Sequence, residues 1–233
     1  MINQKEKNES KYKVEYLGEK FSKDLQTYKV IILGLYGVGK TTTINKLMMK
    51  NSDKEYEPTM SVDIKHFQVK VNDKIIQIQI WDCCGNDEFA LNTPNLFKNT
   101  SIAILIYAIN NRKSFDNLEL WRNVLLNNSY DHIEFLIGNK NDLEKEREVT
   151  IEEAENFKNK YDDFIKMVFE TSAKTGNNID KLLENIAISI YEKNENDEKN
   201  LEKAMTIKLG KQNHKIKKKK NFLKFKFLKL INF

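Results

Sequence analysis

The sequence is poor in residues that cross-link or sharply turn a chain, with two cysteines, two prolines and eight glycines among 233 residues. The cysteines, Cys83 and Cys84, are adjacent and therefore cannot form the disulfide framework that stabilises small secreted domains. The scarcity of proline and glycine argues against collagen-like and linker-like chains. No apolar run approaches the roughly 18 residues of a membrane-spanning helix, and no signal-like apolar segment follows Met1. These absences lead us to expect a compact α/β protein in a reducing compartment, the cytoplasm.

Charge is distributed unevenly along the chain. The formal net charge is +5, yet the last 23 residues, from Lys211, contain nine lysines and no acidic residue. The rest of the chain is therefore mildly acidic, which does not suit a nucleic-acid-binding core. We do not expect nucleic acid as a partner of the folded part, and we expect any function of positive charge to reside at the carboxyl end.

Apolar runs and helical spacing alternate through the middle of the chain. Runs typical of strands lie at 28–34, 62–71, 74–82, 101–109, 133–138 and 165–170. Stretches with helical spacing lie at 40–50, 114–127, 150–161 and 178–191. Asn72-Asp73 between two strand runs predicts a hairpin, whereas the later strands are separated by helices. The pattern predicts an α/β fold with six strands in a mostly parallel sheet that has one antiparallel edge strand.

Polar segments flank this region and suggest the domain boundaries. Residues 1–26 are lysine-rich and non-periodic, which predicts an N-terminal arm. Residues 27–191 are expected to form the folded domain, in which Thr150 and Glu153 predict a helix capping box. Residues 192–233 are expected to form a disordered tail that is polybasic and aromatic from residue 211.

A glycine-rich segment after the first strand run carries the strongest functional signal. It reads GLYGVGKT from Gly34 to Thr41 and fits G-x-x-x-x-G-K-[ST] between a predicted strand and a predicted helix. Glycines allow backbone N–H groups to surround phosphate oxygens, Lys40 reaches the outer phosphates, and Thr41 can bind Mg²⁺. The alternative is a glycine turn with an incidental lysine, but the strand–loop–helix context favours a phosphate site.

Two further polar motifs follow strand runs. Asp82 comes directly after the apolar run 75–81, so its carboxylate is expected near Thr41, where it can hold a metal-bound water. Gly85 would offer a backbone N–H close to a terminal phosphate. Asn139-Lys140-Asn141-Asp142 follows another apolar strand, and an aspartate there can accept two hydrogen bonds from guanine that adenine does not offer. Guanine is therefore favoured, and an adenine-specific P-loop enzyme is the alternative.

Five motifs occur in a fixed order along the chain: GLYGVGKT, YEPTMSVDIK, WDCCGNDEF, GNKND and ETSAKTG. On these motifs, residues from about 28 to 191 resemble the Ras superfamily of small GTPases, and most closely its Rab branch. The resemblance implies a six-stranded sheet with five helices, and a monomeric switch in vesicle trafficking or signalling that binds GTP, GDP and Mg²⁺. It also implies that effector, exchange-factor and activating proteins bind at switch I, residues 51–64, and switch II, residues 83–97.

The resemblance also assigns roles to individual residues. Thr41, Thr59 and Asp82 would bind Mg²⁺, while Lys40, Gly85 and Asn86 would act in catalysis. The residues that would contact the nucleotide are Gly34, Tyr36, Gly37, Val38, Gly39, Lys40, Thr41, Thr42, Thr59, Gly85, Asn139, Lys140, Asp142, Ser172, Ala173 and Lys174.

The chain departs from the family pattern at positions that matter for hydrolysis. Asn86 replaces the glutamine that positions the attacking water, and a misplacement of about 1 Å can cost on the order of 10²-fold in rate. Tyr36 replaces a small residue of the phosphate loop, where it would crowd the γ-phosphate or swing outward and shield the site. We therefore predict slow GTP hydrolysis. The alternative is a nucleotide-binding scaffold, a pseudo-GTPase with negligible turnover.

Further departures concern the base and the partner surface. Ser52 stands where an aromatic residue normally covers the guanine, and Ile64 and Leu96 stand where Rab proteins carry aromatics. Cys83 and Cys84 lack the spacing of metal ligands and are interpreted as packing residues. Partner identity therefore cannot be transferred from the Rab branch.

The tail differs from the carboxyl ends of Rab proteins. It contains no cysteine for prenylation, and Ile2 after Met1 does not fit N-myristoylation, so we expect neither modification. Lysines and phenylalanines alternate in KIKKKKNFLKFKFLKLINF, which suits an anionic membrane surface. A peripheral position on the cytosolic face of membranes is one expectation. A nuclear localisation patch, nonspecific nucleic-acid contact and a solvated tail are the alternatives.

Overall fold

The computed structural model describes residues 11–49, 59–86, 88 and 92–203. Its strands are β1 (Val14–Gly18), β2 (Thr27–Leu33), β3 (Val62–Val71), β4 (Lys74–Cys83), β5 (Thr100–Ala108), β6 (Ile133–Asn139) and β7 (Ile165–Glu170). Its helices are α1 (Lys40–Leu47), α2 (Arg112–Asp116), α3 (Leu118–Asn128), α4 (Ile151–Lys160) and α5, which begins at residue 179. Short 3₁₀ helices span Pro94–Phe97 and Asn141–Glu146.

All seven strands form one sheet in the order β1-β3-β4-β2-β5-β6-β7. The five strands from β4 to β7 in this order are parallel to one another, and each connection between them is long enough to hold helices. β3 is antiparallel to β4, because Asn72 and Asp73 close a tight hairpin in which Asn72 adopts a φ of 53°. The predicted α/β fold with a mostly parallel sheet is therefore confirmed.

The sheet has seven strands where six were predicted, and the additional strand lies in the segment predicted as a polar arm. β1 pairs antiparallel with β3, with Val14 opposite Val71, so β3 is not the edge of the sheet. Lys13 and Asn72 exchange hydrogen bonds of 2.8 and 3.0 Å, and Tyr16 packs against the core ring of Phe67. The alternating apolar residues of β1 bury one face, which stabilises the pairing.

Helices cover both faces of the sheet and enclose two apolar clusters. Side chains of α1 and α5, such as Ile44 and Leu182, pack on one face, and side chains of α3 such as Trp121 pack on the other. The near-continuous apolar sequence of β2 and β5 reflects strands that are buried on both faces. Five helices are present in the described ranges, as the resemblance implied.

Local signals in the sequence correspond closely to local structure. Thr150 and Glu153 form the predicted capping box at the start of α4. The helix predicted over 114–127 is instead two helices, α2 and α3, which meet at Asn117.

The chain divides into two compact units, residues 1–191 and 192–233. In the second unit, residues 192–203 are helical where we predicted a disordered tail, and the remainder lies outside the described residues. None of the helices in the described ranges is long and apolar enough to cross a membrane.

Candidate functional site

The candidate site lies at the carboxyl ends of the parallel strands. Loops that follow β2, β4, β6 and β7 meet there, as ligand sites of open α/β sheets do. A cavity of about 730 Å³ lies against the loop after β2, and a second of about 210 Å³ lies beside the loops after β6 and β7. The two cavities share Gly39 and Thr42, so together they form one elongated recess.

The phosphate loop has a backbone that only glycine accommodates at two points. A Cβ atom on Gly34 would lie 2.1 Å from the Ile106 carbonyl oxygen, so the loop passes β5 too closely for a side chain. Gly39 has a φ of 100° and precedes α1, whose first residue is Lys40. The free N–H groups at the start of α1 therefore face the cavity, where they favour an anion.

Lys40 is buried beneath the loop. Its ammonium group donates hydrogen bonds of 2.9 Å to the Gly34 carbonyl and 3.0 Å to the Leu35 carbonyl. Burial lowers the pKa of Lys40, and the nearby Asp82 carboxylate opposes that shift. The lysine thus lines the cavity and, within the described ranges, is hydrogen-bonded to carbonyl groups and to no acidic side chain.

Three oxygen donors converge beside Lys40. The Thr41 and Thr59 hydroxyls are 2.9 Å apart, although they belong to α1 and to the segment before β3. Asp82 is 1% exposed, and its carboxylate oxygens have no hydrogen-bond partner within the described part of the chain. Burial raises the pKa of Asp82, while Thr41 and Lys40 oppose that shift. A buried carboxylate left in this way beside two hydroxyls fits a Mg²⁺ site, because Mg²⁺ prefers oxygen ligands.

The segment after β4 contacts the phosphate loop directly. The Tyr36 N–H donates a 3.0 Å hydrogen bond to the Gly85 carbonyl, and a Cβ atom on Gly85 would lie 2.2 Å from the Tyr36 nitrogen. The Tyr36 side chain is 69% exposed and lines the larger cavity. Asn86 also lines that cavity, but its Oδ1 accepts a 2.9 Å hydrogen bond from the Glu88 N–H.

Asn139 joins three loops at the end of β6. Its amide nitrogen donates a 2.8 Å hydrogen bond to the Val38 carbonyl of the phosphate loop. Its Oδ1 accepts hydrogen bonds from the Ala173 N–H at 3.1 Å and the Thr171 hydroxyl at 3.2 Å. The side chain is 1% exposed, so Asn139 fixes the positions of the loops around the smaller cavity.

Asp142 lies at the exposed rim of the smaller cavity. The Ser172 hydroxyl donates a 2.5 Å hydrogen bond to Asp142 Oδ1, which leaves the other carboxylate oxygen available. Lys140, which has a φ of 66°, lines the cavity together with Ala173 and Lys174. An acceptor with two lysine stems beside it suits a flat base that carries N–H donors.

The structure thus brings together most of the residues chosen from the sequence. Some of them line a cavity, and others hold the surrounding loops in position. The chosen residues that line one or both cavities are Tyr36, Gly37, Gly39, Lys40, Thr41, Thr42, Thr59, Gly85, Asn86, Asn139, Lys140, Asp142, Ala173 and Lys174. Gly34, Asp82 and Ser172 are not lining residues, and Val38 is fully buried and contributes its carbonyl. Ser52 and parts of switch I and switch II lie outside the described residues. Cys83 packs in the core, and both Cys83 and Cys84 line the larger cavity.

The larger cavity is also lined by residues that were not chosen from the sequence, namely Leu35, Met60, Cys83, Cys84 and Lys113. Lys113 of α2 lines it, although α2 follows β5 and carries no phosphate-binding motif. No local signal could have identified this residue, because its position depends on how the loop after β5 packs.

Comparison with known families gives one match. The model of the Ras family matches residues 29–192, which is more than half of the chain. The matched range contains all but the first two residues of β2, all of β3 to β7, both cavities and every candidate site residue named above.

Proposed function

The chain belongs to the Ras family of small GTPases, and from this premise we propose that it is a Rab-like switch that hydrolyses GTP slowly. Members of this family bind guanine nucleotides and change the order of their switch segments with the γ-phosphate. The observation that carries the proposal is the buried Asp82 carboxylate, whose oxygens have no hydrogen-bond partner among the described residues, beside the Thr41 and Thr59 hydroxyls at the phosphate loop. In a complex with nucleotide and Mg²⁺, the Asp82 carboxylate and the two hydroxyls would hold the metal ion.

The phosphates would bind in the larger cavity. The N–H groups at the start of α1 and the Lys40 ammonium would face the β- and γ-phosphates, as in other P-loop proteins. Thr41, Thr59 and Asp82 would hold Mg²⁺, which when bound neutralises phosphate charge that develops during hydrolysis. Asp142 would accept the guanine N–H groups, and the Ser172 hydroxyl would hold its carboxylate in position.

Two observations support slow hydrolysis. The Asn86 side chain is shorter than glutamine, and its Oδ1 is engaged by the Glu88 N–H. That hydrogen bond holds the Asn86 carbonyl against its own backbone and leaves it less free to orient a water molecule. The exposed Tyr36 ring lines the same cavity, where it would obstruct a cationic group delivered by an activating protein.

Restoring the family residues tests this account. We expect Asn86→Gln combined with Tyr36→Ser to raise the single-turnover rate of GTP hydrolysis by about tenfold or more, a barrier change of roughly 1.4 kcal/mol. Phosphate release from preloaded GTP measures the rate. Asn95→Gln is the matched control, because Asn95 is exposed and does not line the cavity.

An unchanged rate in the double variant would contradict the roles given to both residues. The scaffold alternative predicts that GTP bound to the wild-type chain persists over several hours. Release that is slow but abolished by Lys40→Met would instead support a working switch.

Partner proteins would bind at the switch segments, and the Rab-like role in vesicle trafficking is part of the proposal. Ile64 and Trp81 are paired across β3 and β4, and Ile64 is 39% exposed. Leu96 is largely buried, so it would contribute little to a partner surface. Effector screening with GTP- and GDP-loaded protein tests this role, and binding that ignores the nucleotide would contradict it.

We place the protein peripherally on anionic membranes through residues 211–233, which lie outside the described residues. The support is the sequence, with nine lysines beside phenylalanines, each lysine being worth on the order of 1 kcal/mol near an anionic surface. Deleting residues 211–233 should abolish sedimentation with phosphatidylserine-containing liposomes. Unchanged sedimentation would refute the proposal, and phosphatidylcholine liposomes provide the control.

A further inference from the structure

The cavity assigned to the phosphates contains a lysine that no family motif accounts for. Lys113 lines the same cavity as Lys40, Gly85 and Asn86. Its side chain is exposed. Unlike its neighbour Arg112, it forms no hydrogen bond or ion pair with the described part of the chain.

The backbone of Lys113 is held firmly by the residues on either side. The Arg112 N–H donates a 2.6 Å hydrogen bond to Glu148, and the Arg112 guanidinium donates a 2.8 Å hydrogen bond to Glu153. On the other side, the Ser114 hydroxyl donates a 2.6 Å hydrogen bond to the Asn111 carbonyl and accepts one from a backbone N–H of β5. Lys113 is therefore fixed at the cavity by its backbone, while its ammonium group has no hydrogen-bond or ion-pair partner among the residues that the structure describes.

The charge of the cavity wall is one-sided. Among the described residues, the charged side chains that line the cavity are Lys40 and Lys113, and none of the lining residues is acidic. Lys40 is bound by two carbonyls and lies near Asp82. The charge of Lys113 is thus the one left without compensation, and a cleft lined by one sign of charge attracts the opposite ion.

We infer that Lys113 is a second cationic ligand for the terminal phosphate, and that it favours GTP over GDP. The inference rests on the proposed function, because it assumes that the nucleotide phosphates occupy this cavity. GTP places one more anionic phosphate in the cavity than GDP does, so an uncompensated cation stabilises the triphosphate more. Because the side chain is exposed, its effect is modest and sensitive to salt.

The test compares nucleotide affinities of the full chain carrying single substitutions. Lys113→Met should weaken GTP binding by about threefold to fivefold and GDP binding by less than twofold, at low salt with Mg²⁺ present. Lys113→Arg should retain the wild-type preference, and the loss should shrink as salt rises from about 0.05 to 0.5 M. Lys23→Met is the matched control, because Lys23 is an exposed lysine that lines neither cavity of the site.

Each outcome separates this inference from the proposed function. Equal losses for GTP and GDP, or no loss, would overturn the role of Lys113, whatever the hydrolysis rate. A selective loss of GTP affinity in a chain that does not hydrolyse GTP would support Lys113 while refuting the slow GTPase. A chain that binds neither nucleotide would overturn both.

Discussion

Buried charged side chains lie at both ends of the parallel strands, but the two ends differ in the hydrogen-bond partners of these side chains. At the carboxyl ends, Asp82 is buried without a hydrogen-bond partner in the described ranges, and Lys40 is bound by carbonyls alone. At the amino ends, Glu134 is fully buried at the start of β6 and pairs through both oxygens. One oxygen lies 2.7 Å from Arg122 Nε, and the other lies 3.1 Å from His132 Nε2.

This difference indicates that Asp82 and Lys40 belong to a ligand-binding site, whereas Arg122 and Glu134 form a structural ion pair. A buried charge without a partner is costly, and such groups in native proteins usually have a binding or catalytic role. The Glu134 carboxylate is satisfied at both oxygens, and the Arg122 guanidinium also lies 3.9 Å from the centre of the Tyr161 ring, although one of its terminal nitrogens and His132 Nδ1 have no hydrogen-bond partner in the described ranges. Substitutions at the first site should therefore change nucleotide binding, and those at the second should change stability.

Breaking the structural pair should have the largest effect. Glu134→Gln leaves the Arg122 charge buried without a carboxylate, so we expect the free energy of unfolding to fall by about 3–5 kcal/mol. Urea denaturation of the nucleotide-free protein measures this change. The nucleotide affinity of the folded fraction should remain at the wild-type value, because Glu134 lies at the opposite end of the sheet.

A surface pair provides the control for that prediction. Glu119 accepts a hydrogen bond of 2.5 Å from Lys160, but both side chains are about half exposed. Glu119→Gln should cost less than about 1 kcal/mol, because solvent screens exposed ion pairs. Similar losses of unfolding free energy for Glu134→Gln and Glu119→Gln would show that burial does not determine how much each ion pair stabilises the protein.

Asp82→Asn is expected to weaken nucleotide binding strongly and to change stability only slightly. We expect it to weaken GTP binding in the presence of Mg²⁺ by about 10- to 150-fold, equivalent to roughly 1.5–3 kcal/mol for contacts with a charged group. The unfolding free energy of the nucleotide-free protein should fall by less than about 1 kcal/mol, because the carboxylate oxygens have no hydrogen-bond partner in the described ranges and the burial that raises the pKa of Asp82 outweighs the favourable effect of Thr41 and Lys40 on its charge. Titration of a fluorescent GTP analogue with and without EDTA measures the affinity.

The dependence of nucleotide binding on Mg²⁺ tests whether Asp82 acts through the metal ion. EDTA should weaken binding by the wild-type chain strongly and binding by Asp82→Asn only slightly. An equal effect of EDTA on both proteins would contradict the metal role of Asp82. A large loss of stability would contradict the contrast between the two ends of the sheet.

The sequence predicted those parts of the molecule that depend on local chemistry. The Asn72-Asp73 hairpin, the Thr150 cap and the glycine loop each depend on residues close together in the chain, and their patterns were sufficient. β1 was missed because its short run lies among charged residues, and it is stabilised by pairing with β3, more than 50 residues away.

The same distinction applies to the candidate site. The phosphate loop and Asp142 follow from motifs, but the bridge that Asn139 forms to Val38 spans 101 residues. Lys113 reaches the cavity through packing of the loop after β5, which no spacing rule describes. The pairing of Arg122 with Glu134 depends in the same way on where α3 lies against β6.

The two adjacent cysteines both line the larger cavity but differ in burial, because Cys83 is buried and Cys84 is partly exposed. Burial raises the pKa of the Cys83 thiol from 9.0 to about 12, so the folded protein keeps this proton where the unfolded chain loses it. Between pH 9 and about 12 the unfolded state therefore binds fewer protons, and stability falls as pH rises. The slope is about 1.4 kcal/mol per pH unit for one such group.

Replacing this thiol should remove that part of the alkaline destabilisation, which is the smallest effect of the three. Between pH 8 and 10 we expect Cys83→Ala to lose about 1 kcal/mol less unfolding free energy than the wild type, as measured by urea denaturation at each pH. Burial lowers the pKa of Lys29 and Lys40, which acts in the opposite direction, but both proteins contain these lysines. Cys84→Ala is the control and should keep the fall that Cys83 causes. Equal slopes in Cys83→Ala and the wild type would mean that the thiol is accessible to solvent from the cavity that it lines, contrary to its burial in the core.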